Sequence, residues 1–158
     1  MLATWRRRYE RLLEWIVIAL MAALAVEVTV GVAFRYVGYS LVWYDEVASI
    51  GLAWVTYYGA ALAALRRSHI GVPELVRLLP RGLRLPLAIV AEASVFAFFI
   101  VLAWIGYTVL EVLASDNLVS LPGVSVAYAQ SVIPISALLF ILAEAFALPE
   151  HLREARQP

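Results

Sequence analysis

The sequence contains no cysteine and no lysine, and only two histidines. Without cysteine, disulfide bonds, thiolate metal sites and cysteine nucleophiles are excluded. Without lysine there is no phosphate-binding loop of the Gly-Lys-Ser/Thr type, so ATP hydrolysis by this chain is excluded as well. Both histidines fall outside the long apolar segments, which excludes a haem held by facing helices. Because serine, histidine and acidic residues do not cluster either, we predict no enzyme activity, no cofactor and no metal site.

Apolar residues are abundant by contrast, at 64% of the total. They are concentrated in four stretches, at about residues 12–34, 47–65, 85–113 and 124–148. Each is close to or above the roughly 20 residues with which a helix crosses the hydrocarbon core, and none alternates like a membrane β-strand. We predict an all-α integral membrane protein with four transmembrane helices, forming a single membrane domain. Proline is expected to interrupt the fourth span at Pro134.

The arginines predict the orientation of these spans. All 12 basic residues are arginines, and 11 of them fall on one side of a four-span chain. The positive-inside rule places that side, with both termini, in the cytoplasm and leaves Arg35 as the single external arginine. A signal peptide is the alternative for the first stretch, since Ala23-Leu24-Ala25 imitates a cleavage site. The apolar run continues to Phe34, however, which favours a membrane span.

The segment between the second and third spans has the pattern of a short interfacial helix. Pro73 suits its first turn and Pro80 suits its end, with an apolar face between them. Arg77, Arg81 and Arg84 recur on another face, where they are expected to contact anionic membrane lipid. Docking onto a partner subunit is the alternative for this helix.

Acidic residues within the spans are candidates for function, because a charge in the hydrocarbon core costs about 2.5–3.5 kcal/mol or more. Glu27 lies deepest, in the first span, and Glu92 lies roughly one or two turns into the third. Glu111 and Glu144 fall near span ends, where solvation is easy. Three roles stay open for Glu27 and Glu92: a protonated or hydrogen-bonded carboxyl between helices, a proton or ion relay, and a contact with another subunit.

The densest polar cluster outside the arginine groups is Trp43-Tyr44-Asp45-Glu46, just before the second span. Aromatic side chains suit the membrane interface, and acidic residues suit the first turn of a helix. Arg35 ends the first span on the same side, against the topology rule, and is therefore expected to have a partner. Either Arg35 pairs with Asp45 or Glu46 and clamps the first two spans together, or these charges contact another protein.

Several short motifs follow one another along the chain: Phe34-Arg35-Tyr36-Val37, Trp43-Tyr44-Asp45-Glu46, Gly59-Ala60-Ala61-Leu62-Ala63, His69-Ile70-Gly71-Val72, Leu79-Pro80 and Pro134-Ile135. In their order and spacing, and over nearly its whole length, the chain resembles the small membrane subunit of the TRAP (tripartite ATP-independent periplasmic) transporters, the DctQ-like family. Its acid pair is Asp-Glu where the family usually has Glu-Glu, which is a mild chemical change.

The resemblance implies a role without substrate chemistry. The small subunit forms a heterodimer with the large TRAP membrane subunit and braces it, while the large subunit carries an organic acid and a coupling ion. A periplasmic binding protein delivers the acid and meets the small subunit directly or only through the large one. The implied location is the bacterial or archaeal cytoplasmic (inner) membrane, with membrane lipid and no nucleic acid as further partners. The residues expected in a structural clamp or partner contact are Arg35, Tyr36, Trp43, Asp45, Glu46 and His69.

Two other functions fit the same spans. A small proton-coupled carrier working as a homodimer requires an essential carboxylate in an aromatic-lined cavity, a role open to Glu27 or Glu92 beside Trp54, Trp104 or Tyr107. An assembly factor or membrane anchor requires only packing faces. Transport by this chain alone favours the carrier, whereas the identity of the partner distinguishes the anchor.

Overall fold

The computed structural model describes residues 2–66 and 80–156, which are helical apart from short connections. Four helices among these residues are long and apolar enough to cross a membrane, and a fifth helix has only five residues. The predicted all-α fold with four transmembrane helices is therefore confirmed. The helices are α1 (Leu2–Tyr36), α2 (Tyr44–Leu65), α3 (Arg81–Leu113), α4 (Val126–Gln130) and α5 (Val132–Arg156).

Most of the predicted interfacial helix lies outside the described residues, as does His69. Pro80 precedes α3 with φ −53° and ψ 141°, a conformation that proline favours. Arg81 and Arg84 belong to the first turns of α3, and were wrongly assigned to the interfacial helix. The physical reason is that the apolar run of the third span continues upstream through Leu83, so one long helix forms.

By their main contacts the four long helices form an open row in the order α1, α2, α5, α3, and at one end Tyr9 of α1 also reaches α5, where its hydroxyl donates to the Leu139 carbonyl over 2.6 Å. The main contacts of α2 are with α1 on one side and α5 on the other, and α3 packs against α5. In the most apolar 18-residue window of α5, 44% of the residues are buried, whereas none is buried in the corresponding window of α3. Consequently α5 is the central helix, and the end helices α1 and α3 turn most of their large apolar side chains outwards.

The core lies where α1, α2 and α5 meet. Small side chains on α2 and α5 allow these helices to approach closely, as is usual between membrane helices. The Phe99 ring of α3 stacks on Phe140 with 3.7 Å between ring centroids, which joins α3 to the same core. Of the small residues noted in the second span, Ala61 is buried, but Gly59 faces open space. The buried residues of this cluster are Leu13, Ala61, Ala64, Leu65, Phe140 and Ala143.

A glycine ends α1 and turns the chain towards α2. Gly38 has a positive φ of 88°, which glycine adopts without steric cost. The N–H of Tyr39 donates to the Phe34 carbonyl over 3.0 Å, and the N–H of Gly38 donates to the Arg35 carbonyl over 3.1 Å. This is the Schellman arrangement, in which two carbonyls of the last helical turn find donors.

The fourth span is interrupted at Ser131, between α4 and α5. Pro134 has no N–H to offer the carbonyl of Gln130, so the helix cannot continue regularly through this turn. The interruption predicted at Pro134 is thus confirmed, one turn upstream of the proline. The indole N–H of Trp54, on α2, donates to the Ala129 carbonyl over 2.9 Å and gives a carbonyl beside the break a partner.

Helix α3 approaches this break closely at Gly106. A Cβ at Gly106 would lie 3.1 Å from Cδ and 3.3 Å from N of Pro134, closer than an ordinary contact. We expect Gly106→Ala to lower the free energy of unfolding by about 1–3 kcal/mol, because overpacking forces the backbone to shift. Thermal unfolding of the purified chain in detergent measures this effect.

The matched control is Gly82→Ala, in the same helix. A Cβ at Gly82 meets no atom within 4 Å. The exchange there is expected to be neutral or stabilising, since alanine favours the helix by up to about 1 kcal/mol over glycine. Equal stability of the Gly106→Ala and Gly82→Ala variants would argue against a close contact between α3 and Pro134.

Candidate functional site

Polar contacts join neighbouring helices near both ends of their long axes, on the two opposite sides of the predicted membrane. The Glu46 end comprises the last turn of α1, the first turn of α2 and the connection between α3 and α4. The Arg66 end comprises the first turns of α1 and the last turn of α2. The residues predicted from the sequence to form a clamp or a partner contact lie at the Glu46 end, apart from His69, which is outside the described residues.

The carboxylate of Glu46 binds the connection between α3 and α4. Its Oε1 accepts from the backbone N–H of Val119 over 3.1 Å, and its Oε2 accepts from the N–H of Ser120 over 2.8 Å and from the Ser120 hydroxyl. Hydrogen bonds to an ionised carboxylate are about twice as strong as those between neutral groups. Glu46 is therefore a clamp, but it joins α2 to a connection 74 residues away. Sequence analysis missed this partner, because every residue except proline carries a backbone N–H and the sequence does not show which of them bonds to Glu46.

The connection held by Glu46 is itself ordered. Asn117 and Ser125 form an isolated antiparallel bridge, and Leu118 between them has 8% of its surface exposed. The N–H of Leu118 donates to the Val124 carbonyl over 2.9 Å. By contrast, Val119 at the tip has 93% of its surface exposed. Glu46 thus holds a preformed turn that presents an apolar side chain outwards.

Arg35, Asp45 and Glu46 all lie within the described residues, and Arg35 forms no ion pair with either carboxylate. Arg35 and Asp45 are exposed, and Tyr36 is 92% exposed. Trp43 is partly buried at the N-cap of α2. Of the two alternatives for this cluster, the ion pair is absent from the isolated chain, and contact with another protein stays a prediction.

Helices α1 and α2 are instead joined by glycine contacts. Gly31 is buried, and the ring of Tyr44 covers its backbone. A Cβ at Gly31 would lie less than 3.0 Å from three carbons of that ring. Further along the helices, a Cβ at Gly51 would lie 3.2 Å from Cδ1 of Leu24. Sequence analysis assigned Tyr44 to the membrane interface and missed its packing on Gly31, since no local pattern links the two positions.

The Arg66 end is held by a charge network. The Nε of Arg66 lies 2.9 Å from Oε1 of Glu10, and the same guanidinium pairs with Glu14. Arg6 donates to the carbonyl of Leu65 over 3.1 Å, at the C-terminus of α2, where the helix dipole favours a cation. The sequence did carry a signal for this network, because Glu10 and Glu14 are one helical turn apart within an arginine-rich segment.

The two intramembrane carboxyl candidates lie on opposite ends of the row, Glu27 on α1 and Glu92 on α3. Both side chains are partly buried. The carboxyl oxygens of Glu27 are shielded, and neither has a hydrogen-bond partner within the described ranges. Glu144 was expected at a solvated span end, but only 7% of its surface is exposed. That expectation was wrong because α5 is the central helix, so its end is covered by its neighbours.

The aromatic residues considered for a carrier cavity do not converge on these carboxyls. Trp54 is engaged by the Ala129 carbonyl, whereas Trp104 and Tyr107 on α3 are 72% and 61% exposed. Within the described parts of the chain, no group of three His, Cys, Asp or Glu side chains is placed to hold a metal ion. The site at the Glu46 end is thus suited to contact and positioning.

These features define a class, a multi-pass membrane protein whose polar side chains join its own helices and connections. The sequence model described as "Tripartite ATP-independent periplasmic transporters, DctQ component" matches residues 24–154. Because this match covers most of the chain, the protein belongs to the DctQ family and is a small membrane component of a TRAP transporter. The resemblance noted from the motifs is therefore confirmed. No curated protein matches the chain.

Proposed function

We propose that this chain is the non-catalytic small subunit that braces the large membrane subunit of a TRAP transporter. The complex would act in the inner membrane of a bacterium or archaeon, with both termini of this chain in the cytoplasm. Its activity is the ion-coupled uptake of an organic acid delivered by a periplasmic binding protein. Membership in the DctQ family supports a transporter component, and the sidedness of the arginines supports the orientation.

The observation that carries the bracing role is the open row of helices. Helix α3 has no buried residue in its most apolar window, yet it is packed against α5 and carries a nearly continuous series of large apolar side chains. A carrier must enclose its substrate between helices, and a row offers no such enclosure within one chain. Broad outward faces on a rigid scaffold are what a bracing subunit needs.

Charges at the Glu46 end support a contact with another protein. The side chains of Arg35 and Asp45 are exposed and form no ion pair with another described residue, and Tyr36 beside them is almost fully exposed. Arginine and tyrosine are enriched among the residues that contribute most to protein interfaces. Since Glu46 already fixes the neighbouring connection, these side chains are presented from ordered backbone.

The experiment that tests the proposal is isolation of the tagged chain from its native membrane in mild detergent, with mass spectrometry of the proteins that accompany it. We expect a large polytopic membrane protein in a ratio near that of a heterodimer. Recovery of a homodimer alone, with transport of a solute by this chain in vesicles, would overturn the bracing role.

Arg35→Ala is expected to weaken the complex with the large subunit by about tenfold, the scale of one interfacial arginine. The isolated chain should keep its stability, because the Arg35 side chain has no ion-pair partner within the described residues. Quantitative co-purification measures the first effect, and thermal unfolding of the chain alone measures the second. Wild-type recovery of the complex together with wild-type uptake would remove Arg35 from the interface.

The homodimeric carrier remains the second candidate because of Glu27. A shielded carboxyl without a hydrogen-bond partner among the described residues is the group on which such a carrier would depend. In that case Glu27→Gln would abolish transport by vesicles that contain this chain alone. The outward positions of Trp104 and Tyr107 favour the bracing role over this candidate.

A further inference from the structure

The arginines in the first turns of α1 differ in the direction of their side chains. Arg6 is turned inwards and donates to the Leu65 carbonyl at the end of α2. Arg7, Arg8 and Arg11 are exposed, and none of them forms an ion pair or hydrogen bond with another described residue. The guanidinium carbon of Arg8 lies over the ring of Trp5, 5.9 Å from the ring centroid. These three guanidinium groups thus have no anionic partner among the described residues.

These three arginines occupy one face of the helix, here called the basic face. With about 100° of rotation per residue, Arg7, Arg8 and Arg11 fall within an arc of roughly 100°. Leu13, which is completely buried in the core, points about 120–160° away from each of them. The basic face is therefore directed away from the rest of the protein.

The acidic residues nearest in sequence do not neutralise the basic face. Glu10 and Glu14 both pair with Arg66, which follows the last residue of α2 as its C-cap. Their carboxylates are thereby held towards the joint between α1 and α2. The network at the Arg66 end thus separates charge. The acidic side chains are paired on the inner side of α1, whereas the arginines of the outer side can bind an anion from outside the chain.

The depth of the basic face is set by the length of α1. Arg11 and Arg35 are separated by 24 residues, about 36 Å of helix, whereas the hydrocarbon core is about 30 Å thick. When α1 crosses the membrane, Arg11 therefore lies at the level of the lipid headgroups. Trp15, one turn deeper and 70% exposed, is the type of residue that marks this interface. Ile18 follows, 55% exposed, within reach of acyl chains.

We propose that Arg7, Arg8 and Arg11 form a binding site for the phosphate-bearing headgroup of an anionic phospholipid, whose acyl chains lie along Trp15 and Ile18. Guanidinium groups pair with phosphate oxygens through two parallel hydrogen bonds, which makes arginine well suited to this group. The apolar strip directly below the cations continues into the hydrocarbon core, as a diacyl lipid requires. An acidic protein segment would leave that strip uncovered, so the lipid fits the whole surface better.

The test is binding of the full-length purified chain to phosphatidylcholine vesicles with and without phosphatidylglycerol, combined with native mass spectrometry of lipids retained after detergent extraction. We expect selective retention of phosphatidylglycerol by the wild-type chain. Each arginine near an anionic surface contributes about a fivefold preference, so the triple variant Arg7→Gln, Arg8→Gln, Arg11→Gln should lose on the order of a hundredfold. Because glutamine is a good helix former, α1 is expected to persist.

Three further variants keep the result interpretable. Arg6→Gln removes one charge from the inner side of the same helix and should retain the lipid, whereas Arg11→Gln should lose it about fivefold. The triple lysine variant preserves the charge and should keep a preference for phosphatidylglycerol even if the glutamine variant folds poorly. Equal retention of both lipids by the wild-type chain would overturn the proposal. Unchanged lipid retention by the folded triple glutamine variant, with loss of an accompanying protein, would also overturn it and assign the basic face to protein contact.

Discussion

Gly31→Ala is expected to lower the free energy of unfolding of the chain by about 3 kcal/mol, at the upper end of the range for overpacked sites. The reason is that a Cβ at Gly31 would overlap the ring of Tyr44, including the ring carbon closest to the backbone. A small rotation of the ring does not remove that overlap. Either Tyr44 leaves its position on α1, or α1 and α2 separate. Reversible unfolding in mixed detergent micelles measures the loss.

A second substitution separates steric overlap from a general effect of alanine. If the ring is the obstacle, Gly31→Ala should cost little in a Tyr44→Ala background, and the two changes should show a coupling energy of about 1–3 kcal/mol. Gly59→Ala on α2 is the control, because a Cβ there meets no atom within 4 Å. Simple addition of the Gly31→Ala and Tyr44→Ala effects would show that the two residues are not in contact.

Glu46→Gln is expected to release the connection between α3 and α4. Glutamine offers one acceptor oxygen where the carboxylate offers two, and its NH₂ group would face N–H and O–H donors of Val119 and Ser120. Hydrogen exchange at these two amides should become faster, on the order of tenfold. Binding of the chain to its large subunit should weaken in parallel if this connection belongs to the interface.

The adjacent carboxylate supplies the control for this experiment. Asp45→Asn makes the same chemical change one residue earlier, but Asp45 is exposed and does not contact the connection. It should leave exchange at Val119 and Ser120 unchanged. If both variants increased exchange equally, the cause would be the negative charge at the start of α2 and not the hydrogen bonds of Glu46.

The helices were predictable from the sequence for a physical reason. A membrane span must satisfy its backbone hydrogen bonds internally, so length and apolar composition are sufficient to identify it. Their arrangement in a row was not predictable, because apolar and small residues occur on every helix. The central position of α5 depends on contacts such as Phe99 on Phe140 and Gly106 beside Pro134, whose partners are far apart in the sequence.

At the candidate site, the sequence indicated the right residues but not their partners. The sequence suggested that Arg35 pairs with Asp45 or Glu46, because Arg35 ends the first span and the two acids begin the second span on the same side of the membrane. In the structure, the two carboxylate oxygens of Glu46 accept hydrogen bonds from the backbone N–H groups of Val119 and Ser120. The Arg35 guanidinium could replace these donors only if it lay beside the Glu46 carboxylate. Spacing along the sequence does not predict which groups lie beside Glu46 when they are 74 residues away.

The order of helices in the row also determines how the chain can be built. Helices α1 and α2 are consecutive long helices, and so are α3 and α5, so each pair can associate as soon as its second member has entered the bilayer. The joint between α2 and α5 has to wait until translation of the last helix is complete. The contacts thus divide the chain into two helical hairpins, α1 with α2 and α3 with α5, and loss of the joint between α2 and α5 would leave both hairpins inserted but separate.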